Sequence, residues 1–407
     1  MKRVILGTYI YQLLYQLPQL LILPILAKLL PSAELVAAAK YLILINLISL
    51  IADWGYSTLG AQKIFQHRED QKKMHEIFQA GERFRVILWL VLCVTAFVVF
   101  FMLGGYSIGD ILLPSVIVIL GTLTSLLLPN WLIVGTRMYE KVILNVLFIR
   151  VFSISILVYF AKITEQTESA LMGYFVFLLL ATMFLRRHIK KQVIFVSSKN
   201  LQIDFKSAFK SGFALMLGSL FCYGYLSTGV FVVDQFGASA NAASFVIAER
   251  VFVIARAAYA PLVQYLFVGM NESNVNNKIP IKLLFALFIV PVFVWLTGNL
   301  LITYIFNDRI AIQYFNILIV GFSFLGFTHH FVTLKVLGGG SILIYLKILF
   351  LAFIVYVTSL WLYLIMLKLE AGLATSFSIV SAEISLFVLG AFFIWMKNRP
   401  IKNKYQT

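Results

Sequence analysis

Residues 2–27 read KRVILGTYIYQLLYQLPQLLILPILA. Two cations, Lys2 and Arg3, are followed by an apolar run over residues 4–27 with no charged side chain in it. About 20 apolar residues cross the hydrocarbon of a bilayer as a helix, so this run suffices for one span. No small-residue cleavage site follows it, so it reads as a retained span rather than a leader. The pattern recurs. Apolar stretches at 4–27, 35–59, 86–104, 111–134, 142–161, 169–185, 210–233, 241–268, 283–306, 311–334, 341–366 and 371–396 predict about twelve helices. The shortest, 169–185, sits at the lower limit for a span.

Composition agrees. Hydrophobic residues fill 61% of the 407 positions and charged residues 12%, about half the roughly 25% charge of a soluble domain. The net charge of +16 does not point to nucleic acid, because no soluble domain exists to carry such a site. Cys93 and Cys222 both fall inside apolar runs and read as small buried side chains, without a disulfide or metal role.

Lys and Arg set the orientation. With the N-terminus in the cytoplasm, 24 of the 33 basic residues fall in cytoplasmic segments. Five (Lys28, Lys40, Lys162, Arg309 and Lys368) face the other side, and four lie within spans. That asymmetry puts both ends inside and requires an even number of spans. The outer loops are too short to form a domain. The two largest breaks, 60–85 and 186–209, are cytoplasmic. The first is expected to lie along the membrane surface as a helix. The second divides the chain into an N-terminal six-helix lobe (1–185), a basic linker (186–209), a C-terminal six-helix lobe (210–396) and a tail (397–407). Leu30-Pro31 before Ala37-Ala38-Ala39 is echoed by Phe236-Gly237 before Asn241-Ala242-Ala243. A parallel repeat about an axis normal to the membrane is one transporter plan that fits.

Charges inside spans are costly and face a cavity or a partner. Arg150, at the middle of its span, either anchors the bundle or lines an aqueous cavity that meets an anion. Glu249 and Arg256 are seven apart and share a helix face, about 10 Å apart along the axis. Glu249 is also placed to neutralise Arg250 or Arg150. Glu383 is either a protonatable coupling carboxylate or the counter-ion of Lys347, and Lys347 itself could snorkel to the cytoplasmic side. Asp53 lies nearer a span end. Gln12, Gln16 and Gln19 form a stripe at i, i+4, i+7 beside Tyr9 and Tyr15. Amides in lipid seek helix partners or a cavity, and they also suit sugar hydroxyls. Pro18 and Pro24 invite bending of this helix. His329 and His330 lack a matching acidic partner for acyl transfer. No phosphate loop, GxSxG, CxxC, HExxH or metal–diphosphate cluster is present, so neither a catalytic centre nor ATP-driven transport by this chain alone is expected.

The end of the second run and the loop after it carry a resemblance. They read Ala52-Asp53-Trp54-Gly55-Tyr56, Gln62-Lys63-Ile64, His67-Arg68-Glu69-Asp70 and Glu76-Ile77-Phe78. Softer matches are Pro129-Asn130-Trp131 with Gly135, and Ala248-Glu249-Arg250. In these features, and in span number and loop size, the chain resembles the Wzx-type polysaccharide flippases. These belong to the multidrug/oligosaccharidyl-lipid/polysaccharide (MOP) superfamily, with the MATE exporters. It departs from the family's Leu-Gly-x-x-x-Tyr-Gly element, having Leu30-Pro31 and Ala39-Lys40-Tyr41 instead.

The resemblance implies an all-α membrane protein of two six-helix lobes around a cavity that opens alternately to each side. It implies translocation of undecaprenyl-diphosphate-linked O-antigen or related repeat units across the bacterial cytoplasmic membrane. Proton or Na⁺ coupling, no cofactor, and partnership with polysaccharide polymerase and chain-length proteins go with it. Arg150, Arg250, Arg256 and Lys347 are then candidates for the diphosphate, since guanidinium pairs bidentately with phosphate oxygens. Gln12, Gln16 and Gln19 are candidates for the sugars, and Glu249, Glu383 and Asp53 for coupling or charge balance. The alternatives are a MATE-like ion-coupled exporter of small molecules and a membrane polymerase or acyltransferase. The short outer loops weigh against the polymerase.

Overall fold

A computed structural model of the protein describes residues 2–104, 108–192, 205–257, 281–328, 332 and 342–397. Among them every regular element is helical. The first half of the chain forms α1 (Lys2–Leu29), α2 (Ser32–Asp53), α3 (Ala61–Gln66), α4 (Gln71–Gly104), α5 (Ile108–Leu127), α6 (Asn130–Thr136), α7 (Tyr139–Thr164) and α8 (Thr167–Gln192). The second half forms α9 (Phe205–Ser227), α10 (Gly229–Phe236), α11 (Ser239–Ala257), α12 (Ile281–Leu301), α13 (Arg309–Thr328), α14 (Ile342–Trp361) and α15 (Ala371–Lys397).

Seven stretches among the described residues are long and apolar enough to cross a membrane, and 290–306 and 309–325 form shorter apolar helices. Each of the twelve expected spans falls at least partly on a helix, with 258–268, 329–331, 333–334 and 341 outside the described residues. Large apolar side chains cover the bundle's outside. Val94 on α4, Leu144 and Phe148 on α7, Phe184 on α8 and Leu343 on α14 are each more than half exposed. Such a surface would drive association in water; in lipid it is the solvated face.

Two departures from the sequence expectation concern the basic breaks. Residues 71–85 do not form a separate surface helix. They are the first turns of α4, which runs unbroken for 34 residues, about 51 Å at 1.5 Å per residue against a core of about 30 Å. The extension is held by packing, since Met74, Phe78 and Phe84 are buried. Likewise α8 continues through Arg186 to Gln192. Arg186 donates to the Leu127 carbonyl at 3.1 Å and forms an ion pair with Glu82, which ties the last turns of α8 to α4 and α5. Residues 193–204 of the expected linker, residues 398–407 of the tail, and His329 and His330 lie outside the described residues.

Within the first half α7 packs on α8 and α1, and α5 on α8 and α2. Within the second, α15 packs on α13 and α14, α11 on α13, and α9 on α14. The halves meet where α1 and α2 pack on α11, and where α2 packs on α9 and α10. The face carrying the start of α1 and the end of α15 is called here the terminal face. Toward the opposite face, one apolar core runs through both halves, from Ile22, Leu23 and Leu26 to Ala242, Phe245 and Val246. There the ion pair of Lys40 on α2 with Asp234 on α10 bridges the halves. Between the faces, the Tyr223 hydroxyl donates to the Ile43 carbonyl at 3.0 Å.

Candidate functional site

Toward the terminal face the seam opens into a chamber of about 360 Å³. It begins where α2 ends. Trp54 (φ 49°) and Gly55 (φ 79°) both adopt the left-handed conformation and stop the helix. That conformation is strained for tryptophan, and packing holds it: Trp54 contacts Phe84 of α4 and Phe213 of α9. Glycine is required at 55, because a Cβ there would lie 3.0 Å from the Leu215 Cβ of the other half. Asp53 caps the following π-turn, accepting the Ser57 N–H at 2.9 Å. Its other oxygen faces Arg85 at 3.4 Å. Asn46, Ser49, Ser125, Asn130 and Trp131 continue the wall, and Leu215, Ser219 and Tyr345 supply it from the second half.

The chamber adjoins a recess of about 70 Å³, with which it shares Tyr15, Asn46, Ser49, Ser125 and Leu128. Two buried arginines line this recess, Arg150 from α7 and Arg250 from α11. Arg150 donates to the Tyr15 carbonyl at 3.4 Å and lies over the Tyr15 ring at 5.6 Å. Among the described residues no carboxylate is within ion-pair distance of it. Arg250 has its chain neighbour Glu249, Nε to Oε2, at 3.5 Å. Successive helix residues point about 100° apart, which explains the long contact. Both of those atoms are buried without a hydrogen-bond partner among the described residues.

Arg256 is engaged differently. Its Nη1 meets Glu383 Oε1 at 2.5 Å, and the Tyr225 hydroxyl donates to the same oxygen at 2.9 Å. Glu383 is fully buried in α15, and it pairs with Arg256 rather than with Lys347. Lys347 is exposed on α14. The Gln12, Gln16 and Gln19 side chains lie outside the described residues, although α1 runs unbroken through their positions. Arg150 and Arg250 are thus brought to the recess and Asp53 to the chamber beside it, Glu249 stands behind Arg250, and Arg256 with Glu383 forms a separate cluster. Among the described residues no group of three or more His, Cys, Asp or Glu could hold a metal ion.

Arg85 lies in the break that the sequence assigns to the cytoplasmic loop, yet it is buried and lines the chamber. Its position follows from the length of α4. Asn46, Ser49, Thr124 and Ser125 carry no sequence signal, being single small polar residues within apolar runs.

No protein-family model matches the chain, and no curated protein matches it in sequence. Solved structures do match. A MATE in complex with MaL6 superposes with a TM-score of 0.71 at 15% identity, over 97% of this chain and 96% of that one. An outward-facing multidrug resistance MATE transporter of the MOP superfamily gives 0.70 at 15% identity, covering 97% and 96%. An inward-facing one gives 0.69 at 16% identity, covering 96% of each chain. At this identity the likeness concerns the fold: the chain is an all-helical bundle with the architecture of MATE transporters of the MOP superfamily.

Proposed function

We propose that the protein is a flippase that moves undecaprenyl-diphosphate-linked oligosaccharide repeat units across the bacterial cytoplasmic membrane by alternating access. Both chain ends lie in the cytoplasm in this reading, and proton or Na⁺ movement drives the cycle. The observation that carries it is the recess where Arg150 and Arg250, one from each half, lie buried against a shared cavity. A buried cation without a tight carboxylate partner is costly, and a diphosphate would relieve that cost. Because the two arginines come from different halves, one anion would bridge the seam and bind most tightly at one relative position of the halves. This is the differential affinity that couples ligand binding to a conformational change. The polyprenyl tail stays in lipid while the head passes.

The test is translocation of undecaprenyl diphosphate bearing a fluorescent oligosaccharide in proteoliposomes, read as protection from a membrane-impermeant quencher. Wild type protects the label with time. Arg150→Ala and Arg250→Ala are expected to slow this at least about tenfold, the loss of one charge-assisted contact. Full rates in both variants would exclude the assignment. The MATE fold favours a second reading, a small-molecule exporter. It predicts transport of organic cations in the same vesicles and no movement of the lipid-linked glycan.

A further inference from the structure

We propose, on the basis of the flippase reading, that the chamber is a subsite for an uncharged sugar and that the diphosphate end of the substrate occupies the arginine recess. The two compartments adjoin, sharing five lining residues, but they differ in charge. The recess is cationic: Arg150 has no described carboxylate at pairing distance and Arg250 only a long one. Among the described residues the chamber is lined by one carboxylate and one guanidinium, Asp53 and Arg85.

Two carboxylates flank Arg85. Asp53 at 3.4 Å and Glu82 at 3.5 Å both engage it, and its side chain is 5% exposed. Glu82 also pairs with Arg186, so two carboxylates and two guanidiniums cancel. The Asp53 side chain is 22% exposed, so the chamber meets chiefly the carboxylate of the pair. Asn46, Ser125, Asn130 and Tyr345 add amide and hydroxyl groups. A carboxylate accepts strong hydrogen bonds from sugar hydroxyls. Among the described residues this wall offers a sugar acid no cation that is not already paired with a carboxylate. The volume of about 360 Å³ falls in the roughly 300–1,000 Å³ range of small-ligand sites. The substrate class is therefore a polyprenyl diphosphate whose first sugar is neutral, with its charge confined to the diphosphate.

The experiment is equilibrium binding to the full chain in nanodiscs with three probes. They are undecaprenyl diphosphate alone, the same lipid carrying one N-acetylglucosamine, and the same lipid carrying one glucuronic acid. The neutral sugar is expected to tighten binding about tenfold over the bare lipid, and the acid to give no gain or a loss. Asp53→Asn is expected to erase most of that tenfold and to bring the two sugars to equal affinity. Because Asp53 also caps the turn after α2, the wild-type ranking decides even where that variant fails to fold. Glucuronic acid binding as tightly as N-acetylglucosamine, or an unchanged ratio in a folded Asp53→Asn protein, overturns the subsite while the bare lipid still reports on the recess. Failure of all three probes to bind overturns the flippase reading and this inference with it.

Discussion

Breaking the Arg256–Glu383 pair should unfold the second half of the protein far more readily than its single salt bridge suggests. Glu383 has no exposed surface, and its Oε1 is shared by Arg256 at 2.5 Å and Tyr225 at 2.9 Å. Arg256 Nη2 also approaches Cys222 Sγ at 3.4 Å. Removing one charge leaves the other buried and unmatched, which costs about 3–5 kcal/mol; removing both for apolar residues of similar size is often neutral. For a cooperative unit of about 200 residues each kcal/mol shifts Tm by roughly 2–4 °C, so each single variant should lose on the order of 10 °C. The variants are Glu383→Gln, Arg256→Gln and the double Arg256→Met/Glu383→Leu, with exposed Lys347→Ala as control. Thermal unfolding in detergent, followed by tryptophan fluorescence and circular dichroism, reads the result. The double variant should lie closer to wild type than either single. Singles that match the Lys347 control, or a double as damaged as the two singles summed, would refute the pairing.

The Lys40–Asp234 pair joins the halves with side chains 35% and 27% exposed, so a double-mutant cycle with alanine on thermal stability should give a coupling of about 1 kcal/mol. Zero coupling removes it from the seam. Gly212→Ala would place a Cβ 2.1 Å from the Trp54 carbonyl oxygen across the seam and should destabilise by roughly 1–3 kcal/mol; an unchanged Tm would show that α9 is free to shift. Near the terminal end of α4, burial and Lys190 hold His75 below the usual histidine range, only partly opposed by Glu76. The unfolded chain then binds its proton first, so stability is full above about pH 6.5 and falls as the pH is lowered. His75→Gln should flatten Tm between pH 6.5 and 5, and an identical slope in the variant would assign the effect elsewhere.

The spans were legible because crossing hydrocarbon demands about 20 apolar residues in a row, a local requirement. Pairings were not legible, because they are set by which helices touch. Arg256 and Glu383 are 127 positions apart, and the sequence offered Lys347, not Arg256, as the partner for Glu383. Arg85 was hidden for another reason: its place depends on α4 continuing from Gln71 into the bundle, whereas local charge made that stretch look like a surface segment. Ser125, Thr124 and their like were invisible because a hydroxyl inside an apolar helix can bond its own backbone. Thr124 donates to the Gly121 carbonyl at 2.6 Å, so such a residue occurs with or without a site.

The three arginines within the expected spans, Arg150, Arg250 and Arg256, are ranked by their partners, and the rank predicts which assay each one governs. Arg256 is saturated by Glu383 and lies outside both lined compartments. Its loss should appear as instability, and binding of undecaprenyl diphosphate to the fraction that stays folded should persist. Among the described residues Arg150 meets only neutral groups, the Tyr15 carbonyl at 3.4 Å, the Tyr15 ring and the Tyr174 side chain. Its charge is the most available to a ligand, so Arg150→Ala should abolish binding with the smallest loss of Tm. Arg250 is intermediate, since Glu249 takes up part of its charge through a poor contact. Arg250→Ala strands Glu249, which is 2% exposed, so it should lower both affinity and stability, and Arg250→Ala/Glu249→Gln should recover stability but not affinity. Arg150→Lys separates charge from shape: the ammonium keeps the charge but loses the bidentate fork, so partial rather than full binding is expected. An order in which Arg256→Gln costs the most affinity, or Arg150→Ala the most stability, would mean that the carboxylate partners do not set which guanidinium meets the anion.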